Sequence, residues 1–317
     1  MIFINNWRYM VIVWKPFNRL FQIFTLILLA AGCAGCEPLF SETGCPSDEW
    51  TVISNRHFGQ SALSVMFGDA VTGVAADLSG KIYFTEDGGA SWTGTIKAGA
   101  SRAAMEILEG NRKMWYIGVG GDMLASTDRG HTWESAGPFP WNGHVEYISF
   151  SDELVGWGMT TEYRNFYATA DGGKTWKALP LPEGMAAPAA LHLRSPRDGY
   201  ILDTVGNLFV SADGGESWET RPIGLAEGEK IPALNHSAAV RFSDARHGVM
   251  AVTTIGGGTG RTRVLRTFDG GETWMEEPLP VPMGMFHLSR DGVFLTHLDL
   301  YDNGKITLLC SARSSNS

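Results

Sequence analysis

Four cysteines in 317 residues (Cys33, Cys36, Cys45 and Cys310) leave little for metal or redox chemistry. None forms a pair placed against histidines at zinc spacing, and Cys33-Ala-Gly-Cys36 has no βαβ pattern behind it, so neither a zinc module nor a thioredoxin-like centre is indicated. Bases are also scarce. Lys and Arg number 25 against 34 acids, a net charge of −9, which disfavours nucleic acid and a polybasic membrane-surface mode. The apolar run Phe21 to Ala31 is shorter than a membrane span. No segment after residue 45 keeps a helical period. What the chain has in quantity is glycine, 39 residues, beside 44% hydrophobic residues: a turn-rich globular body rather than a disordered one.

A short pattern recurs five times, as Thr85-Glu-Asp87-Gly-Gly-Ala-Ser-Trp92, Ser126-Thr-Asp128-Arg-Gly-His-Thr-Trp133, Thr169-Ala-Asp171-Gly-Gly-Lys-Thr-Trp176, Ser211-Ala-Asp213-Gly-Gly-Glu-Ser-Trp218 and Thr267-Phe-Asp269-Gly-Gly-Glu-Thr-Trp274. The aspartates are 41, 43, 42 and 56 residues apart. A period near 42 with one turn signal per period means repeated small sheets. Asp and Ser/Thr side chains bond backbone amides in tight turns, glycine supplies positive φ, and the tryptophan is placed to pack between sheets. Five aspartates could instead be read as metal ligands or acids, but turns on separate sheets do not converge.

Laid over one another, the repeats read as an apolar strand, a turn at an acid, and a resumption at glycine: Phe67-Gly-Asp69 to Gly73, Phe150-Ser-Asp152 to Gly156, Phe242-Ser-Asp244 to Gly248. Repeat four keeps the spacing from Leu193 to Gly199, and repeat two is looser. Four short strands per unit follow. A sixth unit after Met285 ends at Cys310 without a Trp-led fourth strand, and Glu49-Trp50-Thr51-Val52-Ile53 supplies one from the other end. The expectation is an all-β fold over residues 49–317: a β-propeller of six four-stranded blades, closed by an N-terminal strand, which leaves no sheet edge open. Seven blades would need a further repeat hidden in residues 220 to 262. That stretch reads as a long loop, Pro222 to His236, and a glycine-rich hairpin, Gly256 to Gly260, without the Lys-Ser/Thr of a phosphate loop.

Residues 1–32 carry three bases and no acid and read as a signal peptide, with Met10 an alternative start. Ala30-Ala31-Gly32-Cys33 resembles the lipobox of bacterial lipoproteins, which makes Cys33 the lipidation site and residues 33–48 a tether. An uncleaved anchor is the competing reading, interrupted by Lys15, Pro16 and Arg19. Without the three N-terminal bases the net charge becomes −12. A Cys45–Cys310 disulfide is expected to lock the chain ends, contributing about 2–4 kcal/mol, with Cys36 the alternative partner.

The short motif resembles the Asp-box of bacterial neuraminidase repeats. The full repeat, over about residues 49 to 310, resembles the photosystem II assembly and stability factor family. That resemblance implies a propeller, of seven blades in that family, acting as a binding scaffold in assembly without chemistry or cofactor of its own. The alternative is a carbohydrate-active propeller, sialidase-like or glycan-binding. Sialidases add an arginine triad, an Arg-Ile-Pro segment and a Tyr/Glu pair. Here Ile53-Ser-Asn-Arg56-His57 lacks that segment, and the inner-strand arginines Arg194 and Arg241 have no recognisable Tyr/Glu partner. His144, His192, His236 and His287 recur near inner-strand starts and read as hydrogen-bonding residues around the channel rather than a metal site.

The expected function is therefore a non-catalytic, exported, lipid-anchored scaffold in the cell envelope, facing the periplasm or on the outer membrane, that binds a protein or assembly partner. The binding face is expected opposite the repeat turns, where loops carry Arg102, Trp141, His144, Met185, His236, Arg261, Arg263 and Met283. Aromatics, Met and Arg suit interfaces. The plainer reading is that these loops only bridge neighbouring blades.

Overall fold

The computed structural model describes residues 51–58, 62–77, 79–97, 104–108, 114–117, 122–140, 145–160, 165–232, 237–256, 260–279, 281, 284–288, 294–299 and 305–310. The chain divides into two compact units, Met1–Ser41 and Glu42–Ser317. The expected signal peptide and tether, with Cys33, Cys36 and Cys45, lie outside the described residues.

The described part of the second unit contains six four-stranded sheets, numbered I to VI here. Five are continuous in the chain, with inner strands Ala62–Phe67 (I), Ala104–Ile107 (II), Tyr147–Phe150 (III), Pro188–Leu193 (IV) and Ala238–Phe242 (V). Sheet VI takes three strands from the C-terminal end, Gly284–Leu288, Phe294–Asp299 and Lys305–Cys310, and its outer strand, Thr51–His57, from the other end. That strand runs antiparallel to its neighbour, with Thr51 opposite Cys310 and His57 opposite Lys305. Each inner strand touches the next, and that of sheet VI touches that of sheet I, so the sheets close into a ring.

Burial falls from the axis outward. In sheet IV, Pro188–Leu193 and Gly199–Asp203 are buried throughout, Asn207–Ser211 only in part, and the outer strand Glu219–Pro222 is largely exposed. Inner strands are therefore mostly apolar, as strands covered on both faces are, each broken by one polar residue: Ser64, Glu106, Ser149, His192, Arg241 or His287. An apolar cluster fills every junction between neighbours. Between III and IV it holds Trp157, Phe166, Leu193, Ile201 and Phe209, with Trp218 packed against it. Between VI and I, Leu308 and Phe58 meet Val65, Phe67 and Ala75.

The Phe-x-Asp-x-x-x-Gly spacing has a direct physical cause. Phe67, Phe150 and Phe242 each lie opposite the glycine six residues on, Gly73, Gly156 and Gly248, across the first hairpin. The phenyl ring covers that glycine, and a Cβ on Gly156 would lie 2.5 Å from the Phe150 ring. The intervening acid shapes the turn: Asp69 accepts from the amides of Val71 and Thr72 at 2.8 and 2.6 Å, Asp152 from Leu154 and Val155, and Asp244 from Arg246 and His247.

Gly156→Ala forces the Phe150 ring out of a filled junction. Such overpacking costs about 1–3 kcal/mol, read as a lowered denaturation midpoint at unchanged slope. An equally stable variant would show that the glycine is not held by the ring.

Candidate functional site

The five repeat turns share one hydrogen-bond scheme. In sheet III, Thr169 Oγ1 donates to Asp171 Oδ1 at 2.8 Å and accepts from the Gly173 amide at 2.9 Å. The Thr175 amide and hydroxyl close the turn onto the two Asp171 oxygens at 2.9 and 2.5 Å. The same Ser/Thr–Asp–Ser/Thr contacts surround Asp87, Asp128, Asp213 and Asp269. The Thr175 hydroxyl and amide hold the Asp171 carboxyl down from its ordinary 3.8 to about 2. Asp213 and Asp269 are lowered by the equivalent Ser217 and Thr273 contacts. These carboxylates are acceptors spent on their own turns. Trp92, Trp133, Trp176, Trp218 and Trp274 are half-buried beside them, and the indoles of Trp133 and Trp176 donate to Gly130 and Gly173 carbonyls at 3.0 Å. Arg129 replaces the first glycine of the second turn and holds φ at 62°.

The repeat turns and the acid turns after the inner strands lie on one face. The amides of Gly88, Gly172, Gly214 and Gly270 donate to the carbonyls of Val71, Leu154, Arg197 and Arg246.

At the centre of the ring all six inner strands line a cavity of ≈30 Å³, among them Met66, Glu106, Tyr147, Leu191, Arg241 and Phe286. Arg241 of sheet V reaches Glu106 of sheet II, diametrically across, at 3.1 Å. It also donates to the Leu191 and Val240 carbonyls at 3.3 and 3.1 Å. Both side chains are buried. Arg241 thus has the glutamate partner that the sequence did not reveal. Glu106, Tyr147 and Arg241 share one cavity, yet its volume holds one or two waters, whereas small-molecule pockets run to about 300–1,000 Å³. Arg194 falls just outside its inner strand and pairs with Asp198 at 2.6 Å. His192 is buried, stacks on Tyr200, and places Nε2 3.1 Å from the Phe242 carbonyl.

On the face opposite the repeat turns, two expected contact residues are internal. Met185 is only 2% exposed, in the apolar cluster between III and IV, because its side chain fills the gap beneath the Pro182–Pro188 loop. Arg263 is 7% exposed, held at 3.2 Å by Glu229 and at 3.5 Å by Glu276. Glu229 belongs to the loop after Pro222, which is pinned further by Thr254 and by bridging of Lys230 to Ile255. Arg261 is exposed and bonds Glu276. Arg102, Trp141, His144, His236 and Met283 lie outside the described residues, and His287 is described only in its backbone.

A ring of four-stranded antiparallel sheets, sealed by pairing the two ends of the chain, is a β-propeller. Among solved structures the chain is similar to YCF48 bound to a D1 peptide, at 18% identity and TM-score 0.51, covering 86% of this chain and 98% of that one. It is similar also to U3-55K, at 10% identity and TM-score 0.55, covering 83% and 98%. A third likeness is a catalytically inactive virginiamycin B lyase from Staphylococcus aureus with quinupristin, at 11% identity and TM-score 0.52, covering 78% and 80%. Identities this low establish the fold. No family model matches the chain, and no curated protein does.

Two outcomes follow from this chemistry. Arg241→Met removes the partner of a buried carboxylate and should cost about 3–5 kcal/mol, while Glu106→Leu combined with Arg241→Met should recover most of it. A double variant no more stable than the single one would deny that the pair acts as a unit. For Asp171 the folded pKa is depressed, so its stabilising contribution is present above the unfolded value near 3.8 and is lost as pH falls towards 2. The melting temperature of Asp171→Asn should therefore depend less on pH between about 4 and 2 than that of the unmodified protein. Parallel profiles would contradict the assignment.

Proposed function

We propose that this chain is a lipid-anchored scaffold that binds a protein partner through the outside of its propeller. The observation that carries the reading is the filled axis. Among the described residues the centre of the ring holds the buried Glu106–Arg241 pair and a cavity of only ≈30 Å³, which favours recognition by turns, loops and outer strands. The similar structure of YCF48 bound to a D1 peptide supports a polypeptide partner. The five Asp-box turns are architectural in this reading, each aspartate being consumed within its own turn. Cys33 carries the lipid, residues 33–48 form the tether, and the domain works at the cell envelope. The face opposite the Asp-box turns takes part through Arg261 and Trp141, with Met185 and Arg263 supporting it from within.

The test is co-purification from detergent-solubilised membranes of the native host. A specific polypeptide should accompany the full chain, and Trp141→Ala with Arg261→Ala should lower its recovery several-fold at unchanged melting temperature. Mass spectrometry should find diacylglycerol on Cys33. Absence of any specific companion, or a mature N-terminus upstream of Cys33, overturns the corresponding part of the reading.

A further inference from the structure

Neighbouring sheets are tied together beside the repeat turns, and the ties differ. Ser54 of sheet VI donates to the Gly88 carbonyl of sheet I at 3.1 Å. His131 of sheet II packs at a tilt against Phe84 and meets Glu86 of sheet I at 3.4 Å. Lys177 of sheet III lies 3.7 Å from Glu216 of sheet IV. Between IV and V the tie is an arginine: Arg221 donates to the Gly270 carbonyl at 2.6 Å and pairs with Glu219 at 2.7 Å and Glu272 at 3.2 Å.

Between II and III the corresponding place is a groove of ≈240 Å³. Its walls repeat the frame of the IV–V junction. Trp133-Glu134-Ser135-Ala136 matches Trp218-Glu219-Thr220-Arg221, and Glu134 pairs across its sheet with Ala125 as Glu219 does with Val210. Gly172 stands where Gly270 stands. Where sheet IV has Arg221, sheet II has Ala136 and Gly137, taken up together by a bulge opposite Met123. The groove thus presents the Glu134 carboxylate and the Gly172 backbone, with the arginine missing, over a floor of Ala125, Ala136 and Leu154. Leu154 is 56% exposed. Charge favours a cation: Glu134 and Asp171 line the groove against one ammonium, Lys174, which replaces Glu272 at the rim. The volume is that of about eight waters at ≈30 Å³ each, enough for one long side chain.

We propose that this groove is a socket for an arginine side chain of the partner polypeptide, the guanidinium donating to the Gly172 carbonyl and pairing with Glu134 as Arg221 pairs within the chain. The planar, multiply donating guanidinium suits a carbonyl and a carboxylate held side by side. The inference rests on the protein-binding reading of the propeller and names the chemistry of one contact.

The test uses the full chain in detergent and two synthetic nonapeptide libraries, one with a fixed central arginine and one with citrulline, which keeps the shape and removes the charge. The unmodified protein should retain the arginine library about 10-fold better. Ala136→Arg, which supplies the missing side chain from within, should bring that ratio to about one, as should Glu134→Gln. Ala136→Arg should also raise the melting temperature by about 2–4 °C, an increase cancelled when Glu134→Gln is added. Equal retention of both libraries by the unmodified protein, or an arginine preference indifferent to Ala136→Arg and Glu134→Gln, overturns the socket and leaves the scaffold reading standing. Retention of neither library also overturns the socket, and co-purification of a native companion then decides the scaffold reading separately.

Discussion

Every sheet of this protein buries its inner strands only because another sheet lies on either side, so the closed ring is the constraint on which all else depends. The outer strands contribute little apolar surface; the stabilisation resides in the six clusters between neighbours. Sealing the last of them requires Thr51–His57 to pair with Lys305–Cys310. Repeat proteins that form open stacks protect their ends with polar caps. A ring dispenses with caps by making its two ends cover one another.

Polar groups serve that ring in two ways. Towards the rim, Asp and Ser/Thr side chains satisfy amides that tight turns leave without ladder partners, a local matter settled within eight residues. At the axis, six apolar strands converge and their side chains cannot fill the centre completely. One charged pair, Arg241 and Glu106, crosses it and ties opposite sheets. The first arrangement repeats five times; the second occurs once and breaks the symmetry of the ring.

This division explains how much the sequence disclosed. Local chemistry was legible: the turn motif, the Phe and Gly six residues apart, and the Trp50-led segment that continues into the closing strand. Partnerships set by ring geometry were not. Glu106 and Arg241 are 135 residues apart, and nothing near either residue names the other. Met185 sits in a proline-flanked loop, which reads as surface until the loop folds over the junction. Arg263 lies in a hairpin strand beside Arg261, yet the returning loop covers one and leaves the other exposed. The groove between sheets II and III was harder still, because it consists of a side chain that is not there. Ala136 acquires meaning only when set against Arg221.

Closure by the two ends also fixes an order of events. The strand that closes the ring is the first of the described strands to be synthesised and the last to find its neighbour, since its partner is made some 250 residues later. At synthesis rates of about 5–20 residues per second that interval lasts roughly 12–50 s. Throughout it, Thr51–His57 is a nascent strand with both edges open, and sheet I has no neighbour on its upstream side. A chain made in this order needs protection from other unpaired edges until its closing partner arrives. Truncated products, lacking Lys305–Cys310, would keep that vulnerability permanently.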